Sequence, residues 1–302
     1  MFALQFNQLD RQAELRINPA QLRDLAQQTD SIILPVHRQQ LLTQGDSLLW
    51  LNWRELSGTV EDIQDKHLIY LGQVKEADQI KHYFSYRLTK PDYFIQQFKF
   101  VSLTGLRELL PLLSEPEAFL ANVAIGIEHW HNTHQYCGYC GHATYSKLAG
   151  FVRQCSNQEC DKEHYPRTDA AVICAITYKD KILLGRQAQW PEKLYSVIAG
   201  FVEPGESLEQ AVAREANEEA GLTVTNIQYF GSQPWPFPQS LMTGFTAEAT
   251  NPSIELKDDE LEHAAWFTRS QINELVNSEQ LILPNKYSIS RTLIEHWREL
   301  SI

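Results

Sequence analysis

At 302 residues the chain exceeds the usual size of one compact domain, so two or three folded units are expected. Its 43% hydrophobic and 21% charged content excludes a disordered or fibrous protein. A formal net charge of -12 excludes general attraction to nucleic acid or to an anionic membrane, except through a local patch of opposite sign.

The opening stretch MFALQFNQLDRQAEL has no long apolar core flanked by positive charge, and no run of about 18 apolar residues follows. A cytoplasmic protein without membrane association is the expectation. Up to residue 131, aromatic and β-branched segments such as 47–53 (SLLWLNW) and 67–71 (HLIYL) alternate with short polar turns, which predicts a small α+β domain. Residues 116–130 carry apolar side chains at helical spacing, so a helix should lead into the cysteine cluster that follows.

Four of the five cysteines fall in that cluster: Cys137 and Cys140 form one knuckle, Cys155 and Cys160 the other. Crowded thiolates are soft ligands suited to Zn²⁺, and a full set of four favours a structural ion over a catalytic one. The wider spacing of the second pair leaves His142 or His164 as alternative ligands, and a redox pair or simple thiols are the competing readings. A zinc ribbon is assigned to residues 132–166. The fifth cysteine, Cys174, lies in the apolar run AAVICAI, where a buried and inert thiol is expected.

Residues 171–177 and 181–185 read as a β-hairpin around Tyr178-Lys179-Asp180. Ser207, with Gln210 three residues on, opens an apolar-periodic run that Gly221 closes, which predicts a helix over 208–220. On it Leu208, Val212 and Ala216 should face the core, while Glu215, Glu218 and Glu219 share another side. Two such charges about 5 Å apart repel by about 3 kcal/mol at an effective dielectric of about 20. A solvated acidic face would relieve this with a lysine one turn away, and this helix has none. A hard divalent cation, Mg²⁺ or Mn²⁺, turns the repulsion into coordination. Just before the helix, the stretch from Gly200 to Glu206 (GFVEPGE) is a glycine-rich loop able to meet a phosphate with backbone N–H groups. Further on, the three prolines of residues 232–240 (SQPWPFPQS) predict an extended rigid loop, with Trp235 and Phe237 offering flat surfaces to a base or to a neighbouring subunit. Residues 290–300 read as a closing amphipathic helix.

Gly200, Glu206, Arg214, Glu215, Glu218, Glu219, Gly221 and Leu222 match the pattern G-x5-E-x7-R-E-U-x-E-E-x-G-U, so the chain resembles the Nudix hydrolases; Ala216 in the apolar position is a mild variation. The resemblance implies a Nudix α/β/α sandwich with a mixed sheet over residues 167–302, making the whole chain α+β. It also implies divalent metal at Glu215, Glu219 and the Ala199 carbonyl, support from Glu218, and a structural pairing of Glu206 with Arg214. SQPWPFP followed by Gln239-Ser240-Leu241-Met242, together with Tyr165-Pro166-Arg167, is similar to the NADH pyrophosphatases of the NudC family from about Trp130 onward. That similarity implies nucleotide contacts from Gln233, Pro234, Trp235, Pro236, Phe237, Pro238, Gln239, Ser240 and Met242, and a base pocket including Tyr165 and Phe201. It further implies metal ligation by Glu260 and a homodimer that Trp235 also faces. Ala170 departs from the proline usual there, with only a small loop effect expected.

The implied reaction is hydrolysis of NADH or NAD⁺ to NMNH or NMN and AMP, with removal of NAD caps from RNA in some members. Glu219, Glu218 and Glu215 are the catalytic candidates, Glu219 being favoured as general base. Two alternatives stand beside this: a Nudix enzyme preferring another nucleoside diphosphate derivative, and a non-catalytic nucleotide-binding zinc-ribbon module, against which the intact carboxylate set argues.

Overall fold

The computed structural model describes residues 9–60, 63–76, 79–257 and 260–300. By its contacts the chain divides into two compact units, the first ending at Arg167 and the second beginning at Thr168.

The first unit is built on strands β1 (Ser31–His37), β2 (Gln40–Gln44), β3 (Ser47–Leu48), β4 (Leu68–Glu76), β5 (Gln79–Arg87) and β6 (Val101–Gly105). Their order is β3-β2-β1-β5-β4, with β6 added on β2; β1 and β5 run parallel and the other pairs antiparallel. Helices α1 (Pro19–Ala26), α2 (Trp53–Thr59), α3 (Pro91–Ile95), α4 (Leu106–Leu109) and α5 (Glu115–Thr133) accompany the sheet. Leu22, Ile33, Leu42, Leu56, Tyr70, Phe84 and Phe94 form its core. Segment 47–53 departs from its strand-like composition. Only Ser47–Leu48 is strand, because Asn52 and Glu55 cap each other's backbone N–H at 2.9 and 2.8 Å and start α2 at Trp53.

Helix α5 covers the stretch expected from 116–130 and is capped by Ser114 with Glu117. Its buried Glu128 accepts the backbone N–H of Arg38 (2.9 Å) and of Gln39 (3.0 Å), the left-handed residues that turn β1 into β2. Beyond α5 the ribbon strands β7 (Thr144–Lys147), β8 (Val152–Cys155) and β9 (Glu163–His164) form a three-stranded sheet in that order. His131 of α5 reaches the ribbon: its Nε2 meets the Gly150 carbonyl at 2.8 Å and its Nδ1 meets Arg153 Nη1 at 2.8 Å.

The second unit contains β10 (Asp169–Tyr178), β11 (Lys181–Arg186), β12 (Ile198–Phe201), α6 (Leu208–Ala220), β13 (Val224–Trp235), β14 (Ser240–Ala249), β15 (His263–Thr268), α7 (Arg269–Asn277) and α8 (Ile289–Glu299). The sheet order is β13-β14-β10-β11-β15 with β12 on β10; β10 and β14 are parallel, so the sheet is mixed. Strand β10 shows why two helical layers form. Val172, Cys174 and Ile176 join Ala211, Val212, Ala216 and Ala220 of α6 in one core, while Ile173 and Ala175 join Ile272 of α7 and Leu293, Ile294 and Trp297 of α8 in another. This is the expected α/β/α sandwich. Residues 232–240 are not one extended loop: Ser232 to Trp235 continue β13 and pair with β14, Trp235 lying opposite Ser240, so only 236–239 turn. Pairing with β14 captures the proline-containing segment at the sheet edge, where a missing N–H is tolerated. No helix among the described residues is long and apolar enough to cross a membrane.

Candidate active site

Helix α6 begins where Ser207 Oγ accepts the Gln210 N–H at 3.2 Å and Gln210 Oε1 accepts the Ser207 N–H at 2.8 Å. It ends at Gly221, whose φ of 69° lets the Gly221 and Leu222 N–H groups return to the Asn217 and Ala216 carbonyls. Its alanines let the helix lie close to the sheet. The closeness is extreme at one point: a Cβ on Gly200 would stand 2.0 Å from the Glu215 carboxyl carbon. Glycine at 200 therefore makes the cradle in which Glu215 sits, 8% exposed, beneath the end of β12.

Arg214 organises the acids around that cradle. Its Nε and Nη2 grip Glu206 at 2.7 and 3.0 Å, its Nη1 donates to Glu215 and to Glu218 at 2.8 Å each, and Nη2 also donates to the Phe201 carbonyl at 2.8 Å. The guanidinium holds the Glu206 carboxyl below its ordinary range, and the Glu206 bond in turn raises Arg214 further. Burial pushes the Glu215 carboxyl up; Arg214 opposes this, and the charges of Glu218 and Glu260 add to it. Glu219, on the same helix face, is only 2% exposed. Glu260 receives Gln187 Nε2 at 2.7 Å. Ala199 pairs with Ile173 inside β12, one residue before the cradle. Three carboxylates (Glu206, Glu215 and Glu218) thus accompany one guanidinium, with Glu219 on the same helix, a set of hard oxygen donors of the kind a divalent cation prefers.

The residues expected to hold a nucleotide are placed as follows. Phe201 is 59% exposed at the end of β12. Trp235 and Phe237 meet edge to face, 5.0 Å between centroids, with Pro236 between them and a cis peptide before Pro238. Pro234 pairs with Leu241, Ser240 is buried opposite Asp169, and Met242 packs against the α8-side core. Gln239 is tied to Asp169 through its carbonyl (2.8 Å) and its amide (3.1 Å). The Gln233 amide is engaged internally: Nε2 donates to the Tyr287 carbonyl at 2.6 Å and Oε1 accepts the Ile289 N–H at 2.8 Å. Tyr165 belongs to the first unit, 64% exposed, its hydroxyl donating to Glu163 at 2.8 Å. Asp169 and Gln187, which hold Gln239 and Glu260, carry no spacing signal in the sequence, each being a single polar residue at a strand end.

In the ribbon the four sulfurs of Cys137, Cys140, Cys155 and Cys160 all lie within 4.8 Å of one another, the one such ligand cluster among the described residues. Cys137 and Cys160 are 3.8 Å apart and Cys140 and Cys155 3.4 Å, near the edge of about 3.8 Å of a zinc-thiolate tetrahedron and far from bonding distance. All are free thiols. Burial disfavours the Cys137 thiolate, yet backbone N–H groups of Tyr139 and Cys140, together with His164 and the Cys160 thiol, outweigh it and bring that thiol down to about 6. His164 Nε2 borders the cluster, 3.3 Å from the Cys137 sulfur, and His142 faces the Cys140 carbonyl; the mutually close ligand group consists of the four cysteines.

Residues 166–286 match the NUDIX domain family and residues 132–165 the NADH pyrophosphatase zinc ribbon domain. The chain is 36% identical over 268 residues to the NAD-capped RNA hydrolase NudC of Mycobacterium bovis (strain BCG / Pasteur 1173P2), covering 83% of this chain and 82% of that protein. It is 34% identical over 258 residues to the NAD-capped RNA hydrolase NUDT12 of Homo sapiens, covering 80% of this chain and 55% of that protein. A solved NUDIX hydrolase from Nitrosomonas europaea aligns with a TM-score of 0.40 at 24% identity, over 45% of this chain and 79% of that one.

Proposed function

Because this chain belongs to the NudC family of Nudix hydrolases, we propose that it cleaves the pyrophosphate bond of NADH and NAD⁺, giving NMNH or NMN and AMP, and removes NAD caps from RNA. The observation that carries the reading is the acid-lined cradle over Gly200, where Arg214 holds Glu215 and Glu218 in place.

Glu215, Glu219, Glu260 and the Ala199 carbonyl would hold Mg²⁺ or Mn²⁺. When bound, such ions polarise the pyrophosphate and lower the pKa of water. The chain's own residues do the rest. The attacking water forms a new bond to one phosphorus while the bridging P–O bond breaks, and the departing phosphate leaves with the bridging oxygen. A carboxylate takes the water's proton, Glu219 being favoured over Glu218. Arg214 keeps the acids oriented through its bidentate hold on Glu206. Phe201, Trp235 and Phe237 offer the apolar surface on which a base rests, and the turn 236–239 is fixed by Gln239 against Asp169. A structural Zn²⁺ on the four thiolates, a homodimer and a cytoplasmic location belong to the same proposal.

The test is AMP release from NADH with Mg²⁺ or Mn²⁺ present, for the wild type and for Glu219→Gln. The variant is expected to lose on the order of 10²-fold or more in kcat. Tight NADH binding by a wild type that releases no AMP would sink the enzyme reading. Rates on NADH, NAD⁺, ADP-ribose and NAD-capped RNA rank the substrates; preference for ADP-ribose would replace the dinucleotide assignment.

A further inference from the structure

Glu260 is oriented by a side chain from outside the acidic helix. Arg214 serves Glu206, Glu215 and Glu218, and Glu260 accepts Gln187 Nε2 at 2.7 Å. Gln187 is itself oriented: its Oε1 accepts Gln189 Nε2 at 2.9 Å, which turns the amide so that its N–H faces Glu260. The backbone supports this relay. Residues 187–190 form a turn closed by the Trp190 N–H on the Gln187 carbonyl at 3.1 Å, and the Glu262 N–H donates to the Arg186 carbonyl at 2.9 Å. An ion pair between Arg186 and Glu262 adds to the same junction, which continues the β11–β15 pairing of Arg186 with His263.

We propose that Gln187, oriented by Gln189, is a positioning residue that presents the Glu260 carboxylate to the divalent metal. The inference rests on the reading of Glu260 as a metal ligand. An amide fixes a carboxylate's direction without cancelling its charge. The Glu260 charge remains felt at Glu215, where it adds to the upward push on that carboxyl. Ligating carboxylates are themselves held by hydrogen bonds, and loss of such a bond commonly weakens metal binding.

The experiment measures Mn²⁺ binding to the full chain without substrate, by electron paramagnetic resonance of the free ion, alongside melting temperature. Gln187→Ala should raise the Mn²⁺ concentration for half-occupancy on the order of tenfold. Glu260→Gln should do at least as much, and the double variant should add nothing further. Gln189→Ala should shift binding the same way by less, which keeps the test decisive if Gln187→Ala melts early. Wild-type affinity in a folded Gln187→Ala, or fully additive losses in the double variant, overturns the relay while a weakened Glu260→Gln leaves the ligand reading intact. Unchanged affinity in Glu260→Gln removes the ligand reading and the relay with it.

Discussion

Gly200 shows how one missing methyl group shapes the site. Any side chain there would drive a carbon into the Glu215 carboxylate, and both backbones around it are fixed, one in β12 and one in α6. The clash is with the end of a side chain that can swing away, so Gly200→Ala is expected to displace the Glu215 carboxylate at little cost in stability, with a clear fall in Mn²⁺ affinity. A melting curve with Mn²⁺ titration checks both. His131 gives a prediction about pH. It is fully buried, its Nδ1 faces a guanidinium that can only donate, and its Nε2 donates to Gly150, so the fold accepts only the neutral ring. Burial, with Arg87 and Arg153 adding, pushes this histidine down to about 3. Since the folded value lies below the ordinary one of about 6.5, the unfolded chain gains a proton first; stability is full above about pH 6.5 and falls by about 1.4 kcal/mol per pH unit on the way down. Urea titrations at pH 7 and 5 should show the decline, and His131→Gln should flatten it. An equal slope in the variant would assign the decline to other groups. Such pairings are invisible in the sequence, where His131 and Arg153 are merely two polar residues far apart. The acids of α6, by contrast, could be placed on one face from spacing alone.

Among elements, α6 was fully legible because every local cue agreed: Ser207 and Gln210 at its start, Gly221 at its end, small apolar residues between. Ser207→Ala removes one half of the capping box and should cost about 1 kcal/mol, seen as a drop in melting temperature of about 2–4 °C with little change in metal affinity. The 232–240 segment was less legible. Its prolines and aromatics pointed to a rigid presentation of Trp235 and Phe237, but whether the backbone paired depended on β14, whose approach is a long-range event. Likewise residues 47–53 have β-favouring composition, and the Asn52–Glu55 cap decided the outcome. Where capping chemistry and residue preference disagree, the two hydrogen bonds of the cap win over a preference worth tenths of a kcal/mol per residue.

At the level of the whole molecule, contacts group the cysteine ribbon with the amino-terminal sheet, through α5 and the His131 and Arg153 contacts. Composition does not reveal this, since the ribbon's cysteines mark it as a module while its anchoring residues are ordinary. The grouping predicts what loss of zinc would do. A structural zinc site in a small module is worth on the order of 10 kcal/mol, so a strong chelator should release one Zn²⁺ per chain and unfold the ribbon. Loss of hydrogen-exchange protection is then expected in β7 and β8, extending to the end of α5; protection unchanged after zinc release would show that the thiol cluster is dispensable for the fold.

The buried amide of Gln233 fastens the start of α8 to the strand that carries Trp235. A small displacement of the chain near Tyr287 would consequently be transmitted to the aromatic tip of the hairpin some fifty positions earlier in the chain. Trimming the chain before α8, by contrast, would strip Leu293, Ile294 and Trp297 from the core and unfold the second unit.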